Sequence, residues 1–295
     1  MNTGEFNRLN DTYFKYVLAS PERKYLTIEF LNAVLSYYSE LRGEAPVIIS
    51  DIMFLDRESV AGNESEKVPR FDIFVRSLNG GLFHIEVQDA RDEFFLQRGF
   101  FYTSRDYIFQ SGRGLSYKNF EPVIFIGLVN FNLMSAHGVP RDWYTLHRVT
   151  NIVSHESVFN NVEFHMIEMP VLRLQWRKTK KEPSTKLENL LFYFGNIGGE
   201  KMMQALAEKD STVAELMDCE QRFRADKLLM RRYDLDERAR LDYLANRELL
   251  INKNLEKGRA EGREEVARKL KLRGRDTYEE ISLVSGLPVD VIAGL

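Results

Sequence analysis

Along this chain the spacing of apolar residues changes period several times, and each change marks an element. In the first forty residues apolar positions recur every three to four, the period of a helix with one buried face. Residues 12–19 and 22–38 are predicted helices, the second entered through Ser20-Pro21, a cap followed by proline at the first helical position. Leu26, Phe30, Ala33, Val34 and Tyr37 form its core face, and Gly43 and Pro46 end it. Residues 47–55 read as a strand and the polar stretch 56–69 as a loop. From Arg70 the period drops to two, the signature of strands. Phe71, Ile73 and Val75 point one way and Asp72, Phe74 and Arg76 the other. Over residues 82–89, Ile85 and Val87 form the apolar face, with His84, Glu86 and Gln88 opposite. Asn79-Gly80-Gly81 between the two runs supplies the positive φ of a tight hairpin turn.

Helical spacing returns over residues 91–110, where Phe94, Phe95, Phe100 and Phe101 are expected to pack on the sheet, the alternative being stacking on unpaired bases. Residues 121–131 are almost continuously apolar, as in a strand buried on both faces. A further strand is predicted at 162–168, closed by Pro170. Helix, three strands, helix, strand is the order of an α/β core, αβββαβ, with a mixed sheet and one crossover helix. After Pro170 the composition shifts, and three regions are predicted: a core at 1–172, a basic linker and helical extension at 173–235, and a helical tail at 236–295. Gly258, Gly262 and Gly274 punctuate that tail, each costing a helix about 1 kcal/mol relative to alanine. Residues 277–295 resemble two short helices around Ser285-Gly286-Leu287, a miniature helix-turn-helix.

Composition narrows the function classes. The 295 residues are 44% hydrophobic and 29% charged, ordinary for a globular chain, and the net charge of −3 restricts any nucleic-acid contact to local basic patches. One cysteine, Cys219, excludes an internal disulfide and a multi-cysteine zinc site. The histidines at 84, 137, 147, 155 and 165 form no His-x-x-x-His pair; His84 is expected at the surface, the alternative being an approach to the metal from the face it shares with Glu86. The polar N-terminus and the absence of a run of ~18 apolar residues lead to the expectation of a cytoplasmic protein without a membrane span.

The hairpin carries the chemistry. A turn at Asn79–Gly81 brings Asp72 opposite Glu86–Gln88, so two carboxylates share one surface. Like charges about 5 Å apart repel by roughly 3 kcal/mol at an effective dielectric near 20. A bound cation, a raised pKa or a basic side chain must offset this. Oxygen donors with an open side suit Mg²⁺; the alternative is a solvated hairpin face in which Arg76 neutralises the pair. Arg98, Tyr102 and Arg105 share one helix face, where they either meet DNA phosphates or leave Tyr102 in the core and the arginines paired with Asp92 or Asp106. Arg173, Arg177, Lys178, Lys180, Lys181 and Lys186 read either as a phosphate track or as a solvated linker anchored by Trp176. The basic run at 263–275 reads either as auxiliary DNA binding or as part of a self-associating tail.

Four segments together resemble the PD-(D/E)XK nuclease superfamily, and within it the bacterial recombination-promoting nuclease (Rpn) and transposase family. They are DTYFKYVLASPERKYLTIEFLNAVL, RFDIFV, FHIEVQDARDEFFLQRGFFYTSRDY and EPVIFIGLVNF, with Glu168-Met169-Pro170 closing the region. The resemblance implies a restriction-endonuclease-like fold and Mg²⁺-dependent DNA cleavage, with Mn²⁺ able to substitute. It implies Asp72, Glu86 and the backbone carbonyl of Val87 as metal ligands. Gln88 would be a catalytic residue where the superfamily usually has lysine, and Arg98 and Tyr102 would be DNA contacts. It further implies a link to recombination or transposition. Glu29 is an additional ligand or base candidate. The C-terminal helices are expected to serve DNA binding or self-association into a homo-oligomer. Beside this stand a catalytically weak or inactive DNA-binding or regulatory protein on the same scaffold, suggested by the missing lysine, and a helical oligomerisation or adaptor protein whose hairpin carboxylates are merely solvated.

Overall fold

A computed structural model describes residues 5–43, 45, 47–55, 72–111, 116–134, 142–157 and 159–295. The loop at 56–69, Arg70, Phe71, Pro46, Gly112 and His137 lie outside the described residues. The chain divides into two compact units with the boundary between Glu237 and Arg238.

The first unit opens with α1 (Asp11–Leu18) and α2 (Lys24–Arg42). The side chain of Asn10 caps α1 by accepting from the Tyr13 N–H, and α2 ends where Gly43 turns left-handed, at φ 65°. Next come β1 (Ile52–Phe54), β2 (Ile73–Ser77), β3 (Leu82–Gln88), α3 (Phe95–Phe109), β4 (Val123–Val129), β5 (Tyr144–Val149) and β6 (Phe159–Glu168). These strands form one six-stranded mixed sheet in the order β1-β2-β3-β4-β6-β5. β2 and β3 are an antiparallel hairpin in the register Ile73↔Ile85 to Arg76↔Leu82, turned through Gly80 and Gly81 at φ 87° and 112°. Strands β3, β4 and β6 run parallel, with α3 as the crossover between the first two. All seven residues of β4 are buried, as its unbroken apolar run requires.

Alternation along β2 and β3 decides the layers. Ile73, Val75, Ile85 and Val87 join Phe14 of α1 and Phe30 of α2 in the main core. The opposite sheet face packs Phe125, Val129 and Met166 against Phe95 of α3. Here the structure differs from the expectation for the aromatic group: Phe94, Phe100 and Phe101 are 70%, 61% and 61% exposed. The inward stripe of α3 is Phe95, Gly99 and Thr103, four residues apart. A Cβ at Gly99 would stand 3.1 Å from the Phe125 ring, so the helix lies too close to the sheet for a broader aromatic face to turn inward.

After β6, α4 (Met169–Thr179) occupies part of the stretch expected as a basic linker, and the expected helical extension follows as α5 (Lys186–Phe194), α6 (Gly199–Lys209) and α7 (Ser211–Ala225). Leu187, Leu190, Leu191, Val213, Leu216 and Phe223 belong to the main core, while Lys178, Lys180 and Lys181 are exposed and Lys186 binds Asp210 at 2.6 Å. Trp176 meets the ring of Phe192 edge-on at 6.4 Å and anchors α4 on α5. The edge strand β5, half-exposed and mixed in character, has no counterpart among the sequence expectations. Helix α8 (Lys227–Arg273) continues through Gly258 and Gly262.

The second unit has its own small core. Ala267, Ile281 and Ile292 are fully buried together, α9 (Tyr278–Ser285) and α10 (Val289–Gly294) being joined through Gly286 at φ 67°. Among the described residues no helix is long and apolar enough to cross a membrane.

Candidate active site

Asp72 stands one residue before β2, the position that continues the Ile73↔Ile85 register to Glu86. Its carboxylate binds back onto the partner strand: Oδ2 accepts from the Val87 N–H at 2.6 Å. Oδ1 lies 3.2 Å from the Nζ of Lys15 on α1, and that ammonium also meets Asp11 at 2.7 Å, one helical turn earlier. Burial holds the Asp72 carboxyl well above the usual carboxylate range; the hydrogen bond and charge of Asp11 add to this, while Lys15 and the Val87 N–H oppose it. For Lys15, burial acts to lower the pKa, but Asp72 and Asp11 outweigh it and hold the ammonium above its ordinary value.

Glu86, near the end of β3, is almost fully buried. Its Oε1 accepts from the Nη2 of Arg98, reaching in from α3. The same guanidinium binds Asp92 at 2.6 Å and touches Gln88 Oε1 at 3.4 Å. Each hairpin acid has its own cation from a different helix, Lys15 of α1 for Asp72 and Arg98 of α3 for Glu86. Arg76, the neutralising residue expected from sequence, instead makes a two-pronged contact with Glu121, 2.8 Å from each carboxylate oxygen.

Tyr102 is half-buried against the α3 side of the sheet, and Arg105 lies over the Phe109 ring at 5.0 Å. His84 corrects the surface expectation: it is fully buried, stacks on Phe74 with centroids 4.4 Å apart and pairs with Asp106 at 2.7 Å. Glu29 meets Lys186 at 3.3 Å and accepts from the Thr212 hydroxyl at 3.5 Å, partners on α5 and α7 rather than on the hairpin. One supporting network went unread in the sequence because its members lie far apart in the chain. Arg173 donates to the side-chain oxygen of Asn130, whose amide nitrogen donates to Asp89, and Asn7 donates to the other Asp89 oxygen at 2.8 Å. The Asn130 N–H also donates to the Gln88 carbonyl at 2.9 Å, fixing the end of β3.

Among the described residues no three acidic or histidine side chains converge as a ready-made metal cage. The donor chemistry nevertheless fits a hard cation. Asp72, Glu86 and the Val87 carbonyl offer only oxygen, and Mg²⁺ commonly takes one or two protein carboxylates and completes its shell with water and phosphate. Both carboxylates already hold a positive charge that a divalent ion would replace.

A family model described as PD-(D/E)XK nuclease family transposase matches residues 8–248. No curated protein and no solved structure matches the chain.

Proposed function

Because the chain belongs to the PD-(D/E)XK nuclease family of transposases, we propose that it is a Mg²⁺-dependent DNA endonuclease, with Mn²⁺ able to substitute, acting in recombination or transposition. Asp72, Glu86 and the Val87 carbonyl would hold the ion. Once bound there, it would acidify a water and polarise the scissile phosphate. The protein's own groups do the rest. The Val87 N–H fixes one oxygen of Asp72, and the other, which lies 3.2 Å from the Lys15 ammonium, would face the ion. Arg98 releases Glu86 and carries its guanidinium to a DNA phosphate, where Tyr102, four residues along the same helix, joins it. Gln88 orients a water or donates a neutral hydrogen bond; its amide carries no charge.

The observation that supports this most is the pairing of β2 with β3, whose register, continued by one residue, puts Asp72 across from Glu86, each acid held by a partly exposed basic side chain. The test is cleavage of supercoiled plasmid with Mg²⁺ or Mn²⁺. The parent chain nicks or linearises the plasmid, and Asp72→Asn and Glu86→Gln each lower the rate at least a hundredfold. Equal cleavage by the parent and both variants would overturn the proposal. The neutral Gln88 and the Arg98–Glu86 pair favour a second reading, a DNA-binding protein with little catalysis. DNA affinity without cleavage by the parent in either metal would select it.

A further inference from the structure

Hydrolysis of a phosphodiester places growing negative charge on the phosphate and the leaving oxygen, and a fixed positive group beside them stabilises the transition state. Strand β3 brings no such group, since the residue two beyond Glu86 is Gln88. Helix α1 does bring one. Its inward residues Phe14, Val17 and Leu18 are at most 1% exposed, and Asn10 caps its start, so the backbone carrying Lys15 is fixed. The Lys15 side chain remains 38% exposed, while its Nζ lies 3.2 Å from Asp72 and 2.7 Å from Asp11. The ammonium therefore sits where the buried acid meets solvent. The ammonium, with three N–H donors, meets both oxygens of Asp11, at 2.7 and 2.9 Å, and one of Asp72 at 3.2 Å, so release of Asp72 frees a donor for a phosphate. When Asp72 turns its oxygen to another cation, Asp11 still anchors Lys15 one turn away on the same helix.

We propose that Lys15 is a catalytic residue that supplies to the scissile phosphate the positive charge Gln88 lacks, with Asp11 as its positioning residue. The inference rests on the nuclease reading above and deepens it. A purely structural Lys15 would only neutralise Asp72; a catalytic one acts on the reacting phosphate, and the two predict different measurements.

The test uses the full chain and compares the parent with Lys15→Met and with Lys15→Met/Gln88→Lys. Single-turnover plasmid cleavage with Mg²⁺, DNA affinity with Ca²⁺, calorimetric Mn²⁺ binding and thermal melting are measured on each. The expected result for Lys15→Met is a rate loss of about a hundredfold or more, the usual effect of removing one transition-state donor. DNA affinity should change less than threefold, and Mn²⁺ binding should hold or tighten, because a competing charge has left Asp72. The double variant should recover at least tenfold in rate. Retained cleavage by Lys15→Met, a parallel loss of Mn²⁺ binding, or no recovery in the double variant would overturn the inference. If Lys15→Met does not fold, Lys15→Arg carries the test: a rate within tenfold of the parent supports the inference and a larger loss overturns it. A parent that cleaves no DNA overturns the nuclease reading and this inference with it. A parent that cleaves no faster than Lys15→Met overturns this inference alone.

Discussion

At the residue scale, the two hairpin acids differ in how they are held. Asp72 is bound by a backbone N–H and a lysine, and Glu86 by an arginine that also serves Asp92. Removing the arginine leaves a buried carboxylate with less compensation, which costs more than an exposed pair contributes. Arg98→Met should therefore destabilise the metal-free chain by about 2 kcal/mol, within the range for losing one charged partner of a buried group. Added Mn²⁺ should restore most of that stability, because an ion beside Glu86 takes over the role of the guanidinium. Thermal melts with and without Mn²⁺ check this; a deficit that Mn²⁺ leaves untouched would count against cation binding at Glu86. The acids themselves could be read from sequence because period two and Asn-Gly-Gly fix which residues face each other. Their cations could not. Lys15 lies 57 positions before Asp72, and nothing in local spacing links the two.

At the element scale, the hairpin and β4 were legible and the azimuth of α3 was not. A helix with aromatics on several sides does not declare which side meets the sheet; Gly99 was the overlooked signal, since its missing side chain sets how closely α3 approaches Phe125. Phe95→Ala should cost about 3–5 kcal/mol, as for a fully buried ring, whereas Phe101→Ser should stay within about 0.5 kcal/mol. Urea denaturation of the two variants separates these outcomes, and equal losses would contradict the orientation of α3. Helix α7 offers a pH test. Asp210 caps it by accepting from the Thr212 N–H at 2.9 Å and binds Lys186 at 2.6 Å. Burial pushes the Asp210 carboxyl upward, but Lys186, Asn189 and the Thr212 N–H outweigh it and hold the group below its usual range. A lowered folded-state pKa contributes stability that is complete above the unfolded value, near 3.8–3.9, and disappears as pH falls through the folded value. Asp210→Ala should thus cost about 1–2 kcal/mol at neutral pH, with the gap to the parent narrowing below about pH 4. A gap constant down to pH 2 would contradict this role.

At the scale of the whole molecule, two separate cores account for the domain pattern. The main core draws on α1, α2, the sheet and α4–α7 and extends to Tyr233, where it stacks on Phe6 with ring centroids 4.6 Å apart. The second core lies wholly within residues 267–295. Residues 173–186 read as a basic linker because Arg173, Arg177, Lys178, Lys180, Lys181 and Lys186 cluster there, whereas the burial that ties this region to the main core comes from later helices, with Leu187, Leu190, Leu191, Phe192, Tyr193 and Phe194 of α5 all buried. A chain ending at residue 248, where the family match also ends, should melt within a few degrees of the parent. A large drop would mean that the tail contributes to the main core.

The central claim is that Asp72 and Glu86 jointly hold a divalent ion. A crystal structure of the protein grown with Mn²⁺, read by anomalous scattering, tests it most directly. An anomalous peak bound by one oxygen from each acid, with Arg98 turned away from Glu86, is the expected result. Arg98 still seated on Glu86, with no peak beside Asp72, would contradict it.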